Sequence, residues 1–148
     1  MVKHTALVLG VLFILTNCSS ADVGRLMENY LWEKRVLIIF SPSTERSNLK
    51  AQNRMLSAVK SGLRERDMVV WRLIDGKSVT VNGRQKPHLP TRIFYKHFKV
   101  SPEKFVVILL GKDGGEKLRK ARRVTADELF ALIDAMPMRQ QEMREGRN

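Results

Sequence analysis

The apolar and polar residues of this chain follow two different periods, which predict a mixture of strands and helices. Continuous apolar runs rich in β-branched residues at 35–40 and 105–110 are typical of buried strands, and the run at 67–75 has the same character. Between the runs at 35–40 and 67–75, residues 45–66 carry apolar side chains at helical spacing. Because strand, long helix and strand form a βαβ unit, we expect strands 35–40 and 67–75 to be parallel, with a right-handed crossover.

Two shorter segments have the pattern of paired strands. Residues 77–85 alternate and contain Asn82-Gly83, which suits a type I′ turn because both residue types tolerate positive φ. A glycine-containing turn after the strand at 105–110 is followed by residues 116–119, which can return as an antiparallel edge strand. The pattern therefore predicts one small hairpin and one edge strand.

Helical spacing recurs in three further segments. Residues 23–32 and 90–98 predict short helices, and a Thr-x-x-Glu capping box at Thr125 predicts the start of a third. We expect Pro137 to end or kink that third helix, because proline removes a backbone hydrogen bond and clashes with the preceding turn. The polar residues 138–148 are expected to fray.

The order strand, helix, strand, helix, strand, turn, strand, helix is that of a thioredoxin-like α/β fold. We predict a central mixed sheet of about four strands flanked by helices, plus a small hairpin. The chain shows no internal repeat and no domain boundary after residue 21. Residues 22–148 are therefore interpreted as a single domain that can bury its own core, with a polar C-terminal tail at about 139–148.

The first 21 residues have the organisation of a signal peptide. Lys3 and His4 precede an apolar run at 6–15, which is too short to span a bilayer as a stable helix. Small residues at 19–21 predict cleavage before Asp22. We therefore expect an exported protein, periplasmic or secreted; the alternative for this segment is a short buried helix.

The single cysteine of the chain lies inside this signal. Cys18 closes a segment that resembles a bacterial lipobox, although Asn17 fits that motif poorly, so lipid anchoring at Cys18 is an alternative to cleavage. In either case the mature domain has no free thiol. Thiol–disulfide exchange, thiol peroxidase activity, structural disulfides and cysteine metal sites are thereby excluded.

Net charge adds a second constraint. The chain carries +12, and since Lys3 is the only charged residue before Asp22, residues 22–148 carry +11. Between positions 76 and 100 there are six cations and no acid. They are Lys77, Arg84, Lys86, Arg92, Lys96 and Lys99. Residues 112–123 add six more cations against two acids.

Such a basic protein either has an ordinary solvated surface or attracts a polyanion. For an exported protein the expected polyanions are lipopolysaccharide, anionic lipid or acidic glycan, and nucleic acid is disfavoured. A protein partner is the other possibility.

Three stretches carry a family resemblance: residues 111–119, residues 133–139 with Met-Pro-Met-Arg, and residues 142–144. Together they resemble the domain of unknown function 4174 family, over about residues 31–144. The family consists mostly of small exported bacterial proteins, with related domains in vertebrate matrix proteins of the equarin and sushi-repeat type. The resemblance implies a thioredoxin- or peroxiredoxin-like fold and an extracellular address, and it implies no activity.

In redox thioredoxins the nucleophilic cysteine follows the first central strand, and the matching segment here is 41–46, which contains none. Ser43, Thr44 and Arg46 could instead bind an anion at the start of the long helix. The alternative is that Ser43 or Thr44 simply caps that helix. The cis-proline that precedes the third strand in thioredoxins has no clear counterpart here, since Pro102 lies three residues too early.

Catalytic chemistry has little support in the residues. A serine nucleophile at Ser41 or Ser43 would need a base, and His88 and His97 are not tied to either serine by any motif. The same two histidines make a poor metal site, so no metal and no cofactor is expected. The first hypothesis is therefore a non-catalytic binding module, and the alternative is a cysteine-independent enzyme that uses the cleft at 41–46.

Overall fold

The computed structural model describes residues 20–42 and 47–146. Residues 1–19 of the predicted signal, with Cys18, lie outside the described residues, and so do Ser43, Thr44 and Arg46. The described helices are α1 (Ser20–Glu28), α2 (Ser47–Ala58), α3 (Lys60–Glu65), α4 (Thr91–His97), α5 (Ala126–Asp134) and α6 (Pro137–Glu145). The described strands are β1 (Arg35–Ser41), β2 (Met68–Ile74), β3 (Ser78–Val81), β4 (Arg84–Gln85), β5 (Val106–Leu110) and β6 (Glu116–Lys120).

All six strands belong to one mixed sheet with the order β4-β3-β2-β1-β5-β6. Strands β1 and β2 are parallel, which confirms the pairing expected for the βαβ unit, and every other pair is antiparallel. Every residue of β1 and β5 is buried, as befits strands covered on both faces, whereas β6 at the edge is largely exposed.

The sheet separates two cores, because successive side chains of a strand point to opposite faces. Val36, Ile38 and Phe40 of β1 face the layer that contains α1 and α4. Leu37 and Ile39 face the layer that contains α2, α3 and α5. The molecule is therefore a mixed α/β structure with helices on both faces of the sheet.

The predicted hairpin is present and extends the sheet. Asn82 and Gly83 have φ of 48° and 82°, as a type I′ turn requires. Strand β3 pairs with β2, so the hairpin is not separate from the sheet, and the prediction of about four sheet strands is wrong in number. The reason is that Val79 packs into the core beside β2 and carries the hairpin with it.

Helix boundaries differ from the sequence prediction at two places. The long helix divides into α2 and α3 at Val59, whose ψ of 28° is not helical. The first helix ends at Glu28 rather than at Trp32, which has a φ of 65° and is 66% exposed. None of the described helices is long and apolar enough to cross a membrane.

The C-terminal segment was expected to fray, and for residues 138–145 this is wrong. Pro137 does end α5, as predicted, but it also occupies the first turn of α6, where proline is well tolerated. Helix α6 is polar along most of its length and holds Arg139, which is only 5% exposed. Charged contacts rather than an apolar stripe hold this helix against the domain.

Candidate functional site

The loop predicted to bind a ligand can be described only at its first two residues. Ser41 is fully buried. A nucleophilic hydroxyl must be accessible to its substrate, and that of Ser41 is not. The carbonyl of Ser41 accepts hydrogen bonds from the Tyr95 hydroxyl (3.1 Å) and from the backbone N–H of Asp75 (2.9 Å). Tyr95 also donates to the carbonyl of Leu73 (3.1 Å), and burial raises the pKa of its phenol. Ser41 thus serves to tie the ends of β1 and β2 together.

The six predicted surface cations are all exposed, and none forms an ion pair with a described residue. We call them the basic face; they are Lys77, Arg84, Lys86, Arg92, Lys96 and Lys99. The first lies in the β2–β3 turn and the next two lie in or just after β4. Two more belong to α4, and the last follows that helix by two residues. Cations without acidic partners keep their full field for an external anion.

Part of the basic face forms a groove of about 500 Å³ between the hairpin and the start of α4. Lys77, Lys86 and Arg92 line it, together with one acid, Asp75. Lys96 lies one turn beyond Arg92 and so lies on the same side of α4. Three of the six cations therefore line the groove and Lys96 lies on the same side of α4 as one of them, while Arg84 and Lys99 are farther from it.

The backbone around this groove is held in place by defined hydrogen bonds. The N–H of Gly76 donates to Oγ1 of Thr91 (3.3 Å), which joins the β2–β3 turn to the first turn of α4. Gly76 has a φ of 62°, a conformation that favours glycine. Beyond the hairpin, the N–H of Lys86 donates to the carbonyl of Val79 (2.8 Å). The cations of the groove thus project from fixed backbone positions.

The second basic segment of the sequence behaves differently, because its cations have partners. Lys117 pairs with Asp113 at 2.6 Å, and Arg119 pairs with Glu116 at 2.6 Å. Arg122 pairs with Glu128 at 2.9 Å. Hydrogen bonds from Lys117 hold the pKa of Asp113 below its usual range, and those from Arg122 do the same for Glu128. This segment therefore offers much less unpaired charge than the basic face.

The structure also contains a charged cluster that sequence reasoning missed. It joins the end of the sheet to α6, and we call it the α6 ion network. Its cations are Lys34, Arg35, Arg66, Lys112 and Arg139, and its acids are Glu65, Asp67, Asp134 and Glu142. The sequence held one signal for this network, namely that Arg35 begins the otherwise apolar run of β1. It could not show the partner, because Glu142 lies 107 positions away.

Glu142 is the acid at the centre of this network. It accepts hydrogen bonds from both terminal nitrogens of Arg35, at 3.2 and 3.1 Å, and Lys112 lies 2.7 Å away. Burial alone would raise the pKa of Glu142, but the hydrogen bonds and charges of Arg35 and Lys112 outweigh it and lower that pKa. Since Arg35 is 1% exposed, this network holds the fold together rather than presenting charge to a ligand.

The chemistry that the described residues offer is cationic rather than nucleophilic. No group of three or more His, Cys, Asp or Glu in residues 20–42 and 47–146 could hold a metal ion. His88 and His97 are exposed on the basic side of the molecule, where His97 packs against the ring of Phe98. The basic face is therefore the best-described candidate site.

Comparison with known proteins finds a matching family and several named relatives. The model of a family described as Domain of unknown function (DUF4174) matches residues 26–142, which confirms the family resemblance. The chain is 27% identical over 146 residues to coiled-coil domain-containing protein 80 of Danio rerio, covering 85% of this chain and 17% of that protein. It is 29% identical over 132 residues to the sushi repeat-containing protein SRPX of Rattus norvegicus, covering 86% and 28%.

The SRPX protein of Homo sapiens is 28% identical over the same length. The chain thus spans less than a third of the length of these curated relatives. No solved structure matches the chain significantly.

Proposed function

This chain belongs to the DUF4174 family, and we propose that it is an exported, non-catalytic binding module of thioredoxin-like fold that holds an anionic component of the cell envelope. The observation that carries the proposal is the basic face, whose six exposed cations have no ion-pair partner among the described residues. A surface that keeps several unpaired cations together attracts polyanions over a distance of about one Debye length, roughly 10 Å at moderate salt.

The order of the four central strands supports the thioredoxin-like assignment. Strands β2-β1-β5-β6 are neighbours in that order. Strands β1 and β2 are parallel, whereas β5 is antiparallel to both of its neighbours, β1 and β6. Helices α2 and α3 connect β1 to β2 on one face, and α5 follows β6 on the same face. The β3–β4 hairpin is then an addition at the outer side of β2.

The absence of cysteine after residue 18 supports a binding role over a redox role. Thiol–disulfide exchange and peroxide reduction both need a thiolate, and no residue of the mature chain can supply one. Export rests on the signal-like organisation of residues 1–21. An exported protein meets lipopolysaccharide, anionic lipid and acidic glycan, which are the ligands that the proposal names.

The first test is binding of the purified protein to lipopolysaccharide, anionic vesicles and an acidic glycan over a salt series. The affinity for one of these ligands should fall by at least about tenfold between about 50 and 200 mM salt, because counterion release and screening are salt-dependent. Reversal of Lys77, Lys86 and Arg92 to Glu should abolish that binding. Affinity that does not change with salt would overturn the proposal.

A matched control separates this surface from net charge. Lys104, Arg123 and Arg144 are also exposed but lie elsewhere on the molecule, and their reversal to Glu changes the net charge by the same amount. The control variant should retain most of the binding. If both triple variants lose binding equally, attraction depends on total charge and the basic face has no special role. If neither variant nor the native protein binds, protein partners and the loop at 41–46 become the next targets.

A further inference from the structure

A second groove, of about 530 Å³, lies on the opposite side of the hairpin from the basic face. It opens because α2 and α3 cover β1 and part of β2 but leave β3 uncovered on that side. Its floor is formed by β2 and β3, one wall by α2 and α3, and the other by the Asn82-Gly83 turn. The volume is within the range of small-molecule sites, about 300–1,000 Å³.

Arg72 lies in the floor of this groove, and it is the one polar residue on this face of β2. Its neighbours on the same face of β2, Val70 and Ile74, pack into the core with α2 and α3. Nε of Arg72 donates to Oδ1 of Asn53 at 2.6 Å, which orients the guanidinium. Thr80 is its cross-strand neighbour on β3 and supplies no charge.

Arg72 is half-buried, and among the described residues it differs from the other buried and half-buried arginines discussed above in having no acidic partner. Arg35, Arg66 and Arg139 each pair with a carboxylate. Arg72 pairs with none among the described residues, and burial without a counter-ion lowers the pKa of its guanidinium. A cation taken partly out of water is costly unless an anion or hydrogen-bond acceptors replace the lost solvent.

The rest of the groove has the same sign of charge. Lys60 and Arg64 are exposed at the rim and pair with no described acid, and the residues that line the groove include no Asp or Glu. Beside these cations, the apolar part of the lining comes from the edges of Leu56, Leu63 and Met68, whose bulk is buried in the core, and Asn53 and Ser57 add polar groups. A matching ligand therefore needs a negative head and an apolar body.

We propose that this groove binds a single-chain amphiphile with an oxyanion head, either carboxylate or phosphate. The head lies against Arg72, whose planar guanidinium can donate two parallel hydrogen bonds to such a group. The chain lies along Leu56, Leu63 and Met68. The site is separate from the basic face, because Val79 of β3 faces one side of the sheet and Thr80 the other.

The test is calorimetric titration of the full protein, purified as its host produces it, with four probes below their micelle concentrations. Dodecanoate and dodecyl phosphate carry both features, inorganic phosphate carries only the head, and dodecyl maltoside carries a chain with a neutral head. At least one of the two anionic amphiphiles should bind about tenfold or more tightly than either partial probe. The stronger of the two identifies the head group.

Two variants and a control localise the binding. Arg72→Gln should weaken it by about ten- to a hundredfold, since a charged hydrogen-bond partner is lost. Thr80→Glu places a carboxylate opposite Arg72 and should abolish binding while leaving the protein at least as stable. Arg54→Gln removes an exposed cation of α2 that does not line the groove, and should leave the affinity unchanged.

Several results would overturn the proposal. One is equal binding of dodecyl maltoside, which would indicate apolar adsorption alone. Another is unchanged affinity in both Arg72→Gln and Thr80→Glu, and a third is no binding of either anionic amphiphile. Reversal of Lys77, Lys86 and Arg92 should affect this binding much less than Arg72→Gln, so failure of the basic face and failure of this groove are distinguishable.

Discussion

Arg35 and Glu142 lie 107 positions apart in the sequence and form a two-point ion pair, with Nη1···Oε2 at 3.2 Å and Nη2···Oε1 at 3.1 Å. Arg35 begins the central strand β1, and Glu142 lies in the last helix, α6. The pair therefore fastens the C-terminal end of the chain to the middle of the sheet. Lys112, at the turn between β5 and β6, lies 2.7 Å from the same carboxylate and extends the connection.

Removal of the Glu142 carboxylate should be strongly destabilising. We expect Glu142→Ala to lower the free energy of unfolding by about 3 kcal/mol, because Arg35 and Lys112 would remain buried with too few acids. Chemical denaturation of both proteins measures the difference. Glu145→Ala, in the same helix but exposed, should change stability by less than about 0.5 kcal/mol. Equal effects of the two variants would show that the network contributes nothing of its own.

Stability should fall in acid because the pKa of Glu142 is lower in the folded protein than its ordinary value of 4.5. The pKa of Asp134 is likewise below 3.8: burial opposes the shift, but hydrogen bonds and charges of Arg66 and Arg139 prevail. The stabilisation from both groups is complete above these ordinary values and is lost as the pH falls through the lowered folded-state pKa values.

Urea denaturation between pH 7 and pH 2 measures this loss. Glu142→Gln cannot titrate at that position, so its stability should decline less steeply with falling pH than that of the native protein. Identical slopes for the two proteins would contradict the assignment of a lowered pKa to Glu142.

Gln52 is a buried amide that serves the backbone of a distant loop. Its Nε2 donates to the carbonyl of Val124 (3.1 Å), and its Oε1 accepts from the N–H of the same residue (2.8 Å). Gln52→Ala would leave both backbone groups buried without partners, which should cost about 2 kcal/mol. Thermal unfolding would detect this loss. Gln85→Ala removes an exposed amide and serves as the control, and a Gln52→Ala protein as stable as that control would refute the argument.

Gly83 should resist replacement because of its backbone conformation alone. Its φ is 82°, and a Cβ placed there would meet no atom within 4 Å, so only the left-handed conformation opposes a side chain. We expect Gly83→Val to cost about 2 kcal/mol and Gly83→Asn less than about 1 kcal/mol, because Asn tolerates this region. Calorimetric melting would rank the two variants, and a Val variant no worse than the Asn variant would contradict the prediction.

Local patterns in the sequence were sufficient for most of the individual elements. Continuous apolar runs predicted β1, β2 and β5, and Asn82-Gly83 predicted the hairpin turn, because each depends on neighbouring residues alone. The cap at Thr125 was also predicted, and its hydroxyl accepts from the N–H of Glu128 at 3.1 Å. The six cations of the basic face were expected to be exposed, because Lys and Arg side chains are costly to bury without an acidic partner.

Long-range contacts could not be predicted in the same way. Helix α6 has almost no apolar stripe, so its sequence predicts a frayed tail; it is ordered because Arg139 and Glu142 meet Glu65, Asp134 and Arg35. The lack of an acidic partner for Arg72 could not be predicted from the sequence either, because it depends on which acidic side chains the fold brings near Arg72. Side-chain periodicity is a property of consecutive residues, whereas ion pairing and grooves arise where packing brings distant segments together. For this protein, chemistry along the chain determines the elements and the charge, and the packing of those elements determines which charges are neutralised and which remain free to bind.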